Sequence, residues 1–438
     1  MKIDKIIKNI ENRYHKGIAI TKTNDDLKII GITGSNGKSS TSYIIHQYLK
    51  KTGHKSALYS SILIDSPLSN YKNFTAVENP LYDEEMILDA VSSSINAGCE
   101  YLILEVNERS ILKGLVDNID FDIRVLTNIK SKQNQLYDNY VELKKQFIKS
   151  KDSSVKIVVV TDDDTASIVN EDNNIKVVTT EYLKKLKLNN REKVDYLLSS
   201  VDKNYCTIEG LNFKLKDINK NNLIKIKSKM FYPFHGLNIA CAFSVLSELD
   251  IDLKDFSSFI KNIEIPGRDE VIKYKTNKII VSPNLSPHLE ILKEFKNSKQ
   301  INNIYLVTGS TGYGFVTWDK DFESNKYKEI HEYDMKFAYR YASKYADKIF
   351  ITTTDIADNN MLDFLEYQKS LVCDNTKCIV INDRKKAIEK AINCLQEKDI
   401  LLVSGRGNRE FMCISKNKIC RFQDKKEIMN IIKGGYYE

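Results

Sequence analysis

The chain has 438 residues, which exceeds the size of one compact core and predicts two or three domains of ordinary size. Hydrophobic residues make up 42% of the chain and charged residues 29%, a balance that excludes disordered and collagen-like classes. The formal net charge of +7 is spread along the whole length. It therefore indicates no nucleic-acid-binding arm and mildly favours anionic substrates.

Targeting and redox signals are weak in this sequence. No run of 18 apolar residues is present, and residues 1–5 lead into a charged helix rather than the apolar part of a signal peptide. We therefore expect a cytoplasmic protein without membrane insertion. The eight cysteines are scattered and form no Cys-x2-Cys pair, which favours reduced thiols over disulfides or a zinc site.

The first part of the chain alternates predicted strands with predicted helices. Residues 1–28 predict a short N-terminal helical segment. The strands expected after it are 27–32, 55–59, 101–106, 123–126 and 155–160, and the helices are 40–51, 83–97 and 140–149. This order is typical of a mostly parallel sheet with helices on both faces.

The pattern changes after residue 178, where short alternating segments predict further strands before a helix over residues 238–249. Pro266 and Gly267 then interrupt the helical periodicity. Beyond them the predicted strands are 278–281, 304–308, 348–352, 378–381 and 400–404. We therefore predict an α/β protein whose segments are 1–28, a nucleotide-binding domain over 29–264 and a second, Rossmann-like α/β domain over 265–438.

The strongest functional signal is the run Gly31-Ile32-Thr33-Gly34-Ser35-Asn36-Gly37-Lys38-Ser39-Ser40. Backbone N–H groups of such a loop and of the helix that follows surround phosphate oxygens, and Lys38 balances their charge. Ser39 places a hydroxyl where it could ligate the magnesium ion of a nucleotide. The spacing departs from the strict Walker form, whose first glycine would fall at Ile32. The alternative interpretation is a glycine-rich turn that only joins strand to helix.

The loop Thr33-Gly34-Ser35-Asn36-Gly37-Lys38-Ser39 resembles that of the Mur ligase family, to which folylpolyglutamate synthetase and cyanophycin synthetase are related. Further motifs follow in the order typical of that family. They are Leu104-Glu105-Val106, Leu126-Thr127-Asn128, residues 140–147, Gly236-Leu237-Asn238, Pro266-Gly267-Arg268-Asp269-Glu270, Asp383-Arg384 and Ser404-Gly405-Arg406-Gly407. Within the family, the sequence is most similar to ligases that add the third amino acid to a UDP-N-acetylmuramoyl peptide.

This resemblance implies a P-loop central domain followed by a Mur ligase C-terminal domain, with ATP and Mg²⁺ as cofactors. ATP would phosphorylate a carboxylate on a peptide-like or peptidoglycan-related acceptor. An amino acid or amine would then attack the acyl phosphate and leave an amide, ADP and phosphate. The implied context is cell-wall biosynthesis.

The resemblance also implies the site residues. The residues expected to bind the nucleotide are Gly34, Ser35, Asn36, Gly37, Lys38, Ser39, Ser40, Asn238 and Arg268. The catalytic residues would be Lys38, Glu105, Lys144 and Arg268, and the metal would be held by Ser39, Glu105 and Lys144.

Each assignment outside the loop has an alternative. Glu105 matches a glutamate that helps hold magnesium, and otherwise is a solvated carboxylate at a strand end. Lys144 matches a lysine that is carbamylated to give an extra metal-binding carboxylate, although Lys145 stands beside it and an ordinary helical lysine is the alternative. Arg268 matches an arginine near the nucleotide, or forms a salt bridge at the domain junction. Asn238 matches a residue close to the adenine, with one residue missing from the usual spacing.

The sequence departs from the family pattern at several motifs. The segment Ile129-Lys130-Ser131-Lys132-Gln133-Asn134 lacks a metal-assisting Asp-His pair, and Ser282-Pro283-Asn284-Leu285-Ser286-Pro287 lacks an aspartate and a histidine expected at ATP. Gly309-Ser310-Thr311-Gly312-Tyr313-Gly314 lacks its charged companions. Thr352-Thr353-Thr354-Asp355-Ile356-Ala357-Asp358 replaces the signature for the incoming diamino acid, so the amine stays unassigned.

The length before the loop also differs from the family. Peptidoglycan ligases carry a UDP-sugar-binding domain there, whereas 30 residues precede Gly31 in this sequence. We therefore expect a chain that lacks the UDP-binding domain, which leaves open whether the acceptor carries a UDP sugar.

Three functional hypotheses follow from these observations. The first is an active ATP-dependent amide ligase. The second is an ATP-binding Mur ligase homologue that has lost catalysis and acts as a regulator or scaffold. The third is a P-loop kinase or ATPase of another lineage, which is disfavoured because Glu105 stands where a Walker-B aspartate is expected.

Overall fold

The computed structural model describes residues 27–71, 83–129, 140–150, 152–172, 174–181, 194–200, 205–283, 285–312, 325–356, 359–415 and 418–434. The N-terminal segment predicted over residues 1–28 therefore lies almost wholly outside the described residues. The same holds for residues 130–134, Asn284, Tyr313, Gly314, Ala357 and Asp358 of the divergent motifs. Among the described residues, no helix has the length and apolar character needed to cross a membrane.

The chain divides into two compact units, unit 1 up to Ile263 and unit 2 from Glu264 onward. The strands of unit 1 are β1 Lys28–Thr33, β2 Ser56–Tyr59, β3 Ile64–Asp65, β4 Tyr101–Glu105, β5 Ile123–Leu126, β6 Val155–Val159, β7 Ile175–Thr180, β8 Tyr196–Ser200, β9 Cys206–Thr207, β10 Gly210–Asp217 and β11 Asn222–Ser228. Its helices are α1 Lys38–Lys51, α2 Glu84–Asn96, α3 Glu108–Leu112, α4 Tyr140–Ile148, α5 Asp163–Glu171, α6 Pro233–Glu248 and α7 Phe256–Asn262.

The sheet of unit 1 is parallel in its centre and antiparallel at its edges. Its strand order is β11-β10-β8-β7-β6-β5-β1-β4-β2-β3, and β9 pairs with β10. In this spatial order, every neighbouring pair from β8 to β2 is parallel. The central strands are rich in β-branched residues and are buried on both faces, as parallel strands under helices must be. The prediction of a mostly parallel α/β sheet is confirmed.

The helix predicted over residues 238–249 begins five residues earlier, at Pro233. Proline is favoured in the first helical turn, where its missing N–H costs no hydrogen bond. Gly236 therefore lies inside α6 instead of before it. Helix α6 packs against α1, so its second turn reaches the loop that precedes α1.

Unit 2 contains a second, smaller α/β sheet. Its strands are β12 Glu270–Tyr274, β13 Asn277–Ser282, β14 Ile304–Thr308, β15 Lys348–Ile351, β16 Cys378–Val380, β17 Ile400–Ser404, β18 Phe411–Ser415 and β19 Lys418–Arg421. Its α-helices are α8 Ser286–Asn297, α9 Asn325–Tyr345, α10 Met361–Ser370, α11 Arg384–Asn393 and α12 Asp424–Lys433. The order is β12-β13-β17-β14-β15-β16, with only β12 antiparallel, and β18 and β19 form a separate hairpin.

Buried ion pairs lie around the carboxyl ends of β15 and β17, where they join the loops after these strands and the first residues of α11 and α12. Arg384, the first residue of α11, makes a bidentate pair with Asp424 at 2.7 Å for both bonds, and both side chains have no exposed surface. The same guanidinium donates to the Ser404 carbonyl at 2.9 Å. A second buried carboxylate, Asp355, accepts from Arg406 at 3.0 Å and from Arg409 at 3.1 Å. These arginines therefore hold the loops of unit 2 from inside the fold.

Candidate functional site

The phosphate loop of unit 1 connects β1 to helix α1, and no side chain caps the N-terminus of that helix. Helix α1 begins at Lys38 without a side-chain cap and without an acidic residue in its first turn. By contrast, Asp83 caps α2 and Asp162 caps α5 through their carboxylates. Gly37, before α1, adopts a left-handed conformation with φ of 85°. The positive end of the α1 dipole is therefore open to an anion from outside the chain.

The register of the sheet assembles the surroundings of this loop. In the parallel pairings Ile32 of β1 lies opposite Glu105 of β4, and Thr33 lies opposite Leu126 of β5. Strand β2 pairs with the other side of β4, with Tyr59 opposite Leu104. Because the carboxyl ends of parallel strands share one edge, residues that follow β2, β4 and β5 all meet the loop that follows β1.

Thr127 and Asn128, which follow β5, fasten the loop. The Ser35 amide donates to the Asn128 carbonyl at 3.0 Å, and the Asn36 amide donates to Asn128 Oδ1 at 3.0 Å. In return, Asn128 Nδ2 and Thr127 Oγ1 donate to the Asn36 carbonyl at 2.9 and 2.6 Å. Each of these contacts fixes a backbone group of the loop, so its shape is set before any ligand arrives.

Lys38 lies along the loop that it is expected to serve. Its Nζ donates to the Gly34 carbonyl at 2.8 Å and reaches the Ser35 carbonyl at 3.5 Å. Both acceptors are neutral, and no carboxylate pairs with Lys38 among the residues that the structure describes. An ammonium held by carbonyl groups keeps its full charge, which can then act on a phosphate group.

Glu105 is buried, 4% exposed, and accepts a ring of hydrogen bonds. Ser39 Oγ donates to its Oε1 at 3.0 Å. The Ser60 hydroxyl and the Ser61 amide donate to its Oε2 at 2.6 and 2.8 Å. The alternative of a solvated strand-end carboxylate is therefore wrong, because Glu105 is enclosed and bonded to the serine that follows Lys38. Ser60 and Ser61, which follow β2, were not singled out by the sequence.

The Ser39 and Glu105 oxygens suit Mg²⁺, which prefers hard oxygen ligands and takes few of them from the protein. Among the described residues, no group of three His, Cys, Asp or Glu side chains is arranged to hold a metal. With a nucleotide bound, an ion here would be held by the Glu105 carboxylate, the Ser39 hydroxyl, nucleotide phosphate oxygens and water. When bound, it would neutralise charge on the transferred phosphoryl group.

Lys144 lies in α4 with no exposed side-chain surface and is bonded at two points. Its Nζ donates to Thr33 Oγ1 at 2.8 Å and lies 3.1 Å from Glu108 Oε1. Burial lowers the pKa of Lys144 to about 8, against the opposing effect of Glu108. Burial raises the pKa of Glu108, but the charges of Lys144 and Lys38 outweigh it and leave that pKa at about 2. The two side chains lie in contact between α3 and α4.

The remaining predicted residues fall in different parts of the chain. Asn238 in α6 is buried and faces the loop, since a Cβ on Gly37 would lie 2.3 Å from Asn238 Oδ1. Its placement is thus against the phosphate loop. Arg268 belongs to unit 2, where its amide closes a turn onto the Ile265 carbonyl at 3.1 Å. That turn packs on the 405–408 loop, because a Cβ on Gly267 would lie 2.2 Å from the Asn408 nitrogen.

Gly37→Ala is expected to weaken ATP binding by about tenfold or more, since a 1.4 kcal/mol cost alone gives a factor of ten. The added methyl group would require a left-handed alanine and would collide with Asn238 Oδ1 at 2.3 Å. Gly53→Ala is the matched control, because Gly53 has a φ of 89° and nothing within 4 Å of its Cβ position. Isothermal titration with ATP compares the two variants. Equal affinities would show that crowding at Asn238 has no effect on the loop.

Residues 32–246 match the family model described as the Mur ligase middle domain. Over these residues the chain matches the Mur ligase family. The match includes the phosphate loop, Glu105, Glu108, Lys144 and Asn238, so the site described above lies within the matched domain.

Relatives of known name resemble this chain over nearly its whole length. A UDP-N-acetylmuramoyl-L-alanyl-D-glutamate--2,6-diaminopimelate ligase from Caldanaerobacter subterraneus is 24% identical over 418 residues, covering 93% of this chain and 78% of the relative. The ligase of the same name from Helicobacter pylori is 26% identical over 410 residues, covering 92% and 83%.

Solved structures of two ligases with Mur-type names and of FolC share the fold. A structure of a UDP-N-acetylmuramoyl-L-alanyl-D-glutamate--2,6-diaminopimelate ligase aligns with a TM-score of 0.59 at 18% identity, covering 99% of this chain and 83% of its own. MurF ligase from Thermotoga maritima in complex with ADP aligns with a TM-score of 0.59 at 16% identity, covering 99% and 83%. E. coli FolC in complex with ADP gives 0.60 at 15% identity, covering 92% and 90%. At these identities the likeness shows the fold.

Proposed function

We propose that this protein is an ATP-dependent ligase that joins a carboxylate to the amino group of an amino acid or amine. The observation that carries the proposal is the contact between Ser39 and Glu105 beside an uncapped helix N-terminus. This arrangement provides N–H groups for phosphate oxygens and a hydroxyl and a carboxylate for a metal ion. The names of the relatives, all acid–amino-acid ligases, support the same reaction class.

The proposed reaction has two balanced steps. In the first, an oxygen of the acceptor carboxylate attacks the γ-phosphorus of ATP, the bond from that phosphorus to the bridging oxygen breaks, and ADP leaves. In the second, the amine nitrogen attacks the acyl carbon, phosphate leaves and the nitrogen loses a proton. Lys38 and the N–H groups at the start of α1 bind and orient the phosphates. The Asn238 side chain packs against Gly37.

The proposed acceptor is a peptide carboxylate of the peptidoglycan-precursor type. The relatives act on a UDP-N-acetylmuramoyl dipeptide and diaminopimelate, by their names. In this chain Asp355 already pairs with Arg406 and Arg409, so it does not offer a free carboxylate to an incoming diamino acid.

Arg268 in unit 2 is proposed to stabilise phosphate charge during transfer.

The test is ADP and phosphate release by the full chain with ATP and Mg²⁺ against a panel of amino acids. Acceptor peptides should be offered with and without the UDP sugar, and products identified by mass spectrometry. We expect release that depends on both the amine and the acceptor, with formation of an amide. ADP and phosphate release that does not depend on the amine would instead indicate a kinase or ATPase.

A non-catalytic ATP-binding role is the second candidate, and one observation favours it. Asp355, in the segment that replaces the family signature for the incoming diamino acid, is buried and already paired with Arg406 and Arg409. Tight binding of ATP with no turnover across the whole panel would support this candidate and exclude the ligase.

Glu105→Gln is expected to weaken ADP binding in the presence of Mg²⁺ by about tenfold to a hundredfold, the range seen when groups that support a metal are removed. Glutamine keeps the shape of the side chain but loses the charge that a cation needs. ADP affinity without Mg²⁺ should change little. Titrations with and without the metal measure the difference, with Glu100→Gln, half-exposed before β4, as control. A loss that is independent of Mg²⁺ would contradict the proposed metal role.

A further inference from the structure

The antiparallel edge of the unit 1 sheet presents one of its two faces to solvent. Helix α6 packs on β8 and β10, and α7 packs on β11, so residues such as Leu198, Phe213 and Ile226 are buried. Successive residues of a strand point to opposite faces, and the alternate residues therefore form a second face. This open face consists of Leu197, Ser199, Asn212, Lys214, Lys216, Leu223, Lys225 and Lys227, all at least partly exposed.

The open face carries four lysines, and none of its residues is acidic. In the register of the sheet, Lys214 lies directly opposite Lys225, and Lys216 lies between Leu197 and Leu223. Side chains paired in this way have Cβ atoms about 5 Å apart, a distance at which like charges destabilise the sheet. The strand pairing therefore concentrates positive charge at a cost to the fold.

This charge is not neutralised within the part of the chain that the structure describes, where none of the four lysines forms an ion pair. The carboxylates next to the ends of β8 have other partners. Asp195 lies 3.6 Å from Lys176 Nζ, and Glu181 accepts from the Ser200 amide and hydroxyl at 2.8 Å each. The positive charge of the open face is therefore available to an anionic partner.

Protection of a sheet edge explains only part of the pattern. Lysines on an edge strand hinder pairing with a second chain, and β11 is an edge strand. However, Lys214 and Lys216 belong to β10, which lies between β8 and β11. The outer side of β11 also has a contact of its own, because the Ser257 hydroxyl of α7 donates to the Lys225 carbonyl at 2.6 Å.

The composition of the open face favours a lipid surface over other anionic partners. Leu223 is 55% exposed and lies beside Lys216, so apolar and cationic groups share the face. Lysine stems lie along apolar surface while their ammonium groups stay in the polar layer, as at a membrane interface. The face has no arginine and no aromatic ring, the groups that read or stack on nucleic-acid bases. A second copy of this chain would bring the same four positive charges and be repelled.

We propose that the open face docks this protein reversibly on a membrane surface that contains anionic lipids. The four ammonium groups contact lipid phosphates, and Leu223 enters the headgroup layer. This contact is peripheral and requires no helix that crosses the bilayer. It is independent of the ligase reaction, so the failure of either proposal leaves the other standing.

The test is sedimentation of the full chain with vesicles of phosphatidylglycerol and phosphatidylcholine in equal parts, and with phosphatidylcholine alone. We expect binding to the anionic vesicles only, and its loss in about 1 M NaCl, where the Debye length is about 3 Å. Lys214→Gln/Lys225→Gln should weaken binding by about tenfold or more, since each lysine near an anionic surface contributes about fivefold. This variant should fold, because it removes a like-charge pair, and circular dichroism checks that it does.

Lys149→Gln/Lys254→Gln is the matched control, because it removes the same charge from two exposed lysines that each pair with a carboxylate. The control should bind like the wild type, and Leu223→Ser should bind severalfold more weakly. Equal binding to both kinds of vesicle, no binding, or an equal loss in the control would overturn the proposal. Tighter binding to a single-stranded oligonucleotide or to polyglutamate, lost in Lys214→Gln/Lys225→Gln, would also overturn it and indicate that partner instead.

Discussion

Lys38→Met is expected to lower ATP turnover by about 10²- to 10³-fold, the effect of removing one preorganised charge from a reacting group. Methionine keeps most of the alkyl stem but loses the ammonium, which in the free protein is held by the Gly34 and Ser35 carbonyls. The variant should still fold, because the two groups that accept from Lys38 are uncharged loop carbonyls. ATP binding should weaken as well, since the same ammonium meets the phosphates in the ground state.

The measurement is phosphate release at saturating ATP, with circular dichroism to confirm folding. Lys51→Met is the matched control, because this lysine ends the same helix and its side chain is exposed near Ser258. The control should retain full activity. Turnover of the Lys38 variant within threefold of the wild type would remove Lys38 from the proposed mechanism.

Arg384→Met is expected to destabilise unit 2 by about 3–5 kcal/mol, the cost of leaving one member of a buried ion pair without its partner. Asp424 would be left with no exposed surface and without two hydrogen bonds of 2.7 Å. The Ser404 carbonyl would lose a donor at the same time. The change should therefore lower the stability of the fold with no direct effect on the phosphate loop, which belongs to unit 1.

Urea unfolding followed by circular dichroism measures this free energy, with Lys385→Met as control. Lys385 is the next residue in α11, but its side chain is 44% exposed and its partner Glu427 is 17% exposed, so a much smaller change than for Arg384 is expected. The double variant Arg384→Met/Asp424→Leu should recover most of the loss, because it removes both charges together. A single variant as stable as the wild type would show that Asp424 finds another partner.

The local parts of the site were predictable because their signals lie in consecutive residues. Three signals lie within about 12 residues of one another. They are the β-branched run that forms β1, the glycines of the phosphate loop and the start of helix α1 at Lys38. The end of β4 was predictable for the same reason, since an apolar run ends in Glu105. The presence of these elements follows from periodicity, which local sequence carries.

The contacts between distant residues were not predictable from composition or spacing. Ser60 and Ser61 meet Glu105 across 45 and 44 residues of sequence, and no local pattern marks them as its donors. Glu108 meets Lys144 only because α3 packs on α4. A signal existed for Ser60 and Ser61, because they follow a strand in a parallel sheet at the edge where the loop lies. The pairing order needed to use that signal comes from the fold.

The attachment of the phosphate loop to β5 affects how strongly nucleotide binding and folding are linked. Thr127 and Asn128 order Ser35 and Asn36 while the loop is empty, so the conformational entropy of the loop is lost during folding and not during binding. A ligand that contacts such a loop adds its binding free energy to the stability of the strands that hold it. A higher nucleotide concentration would therefore raise the equilibrium stability of unit 1 together with its occupancy.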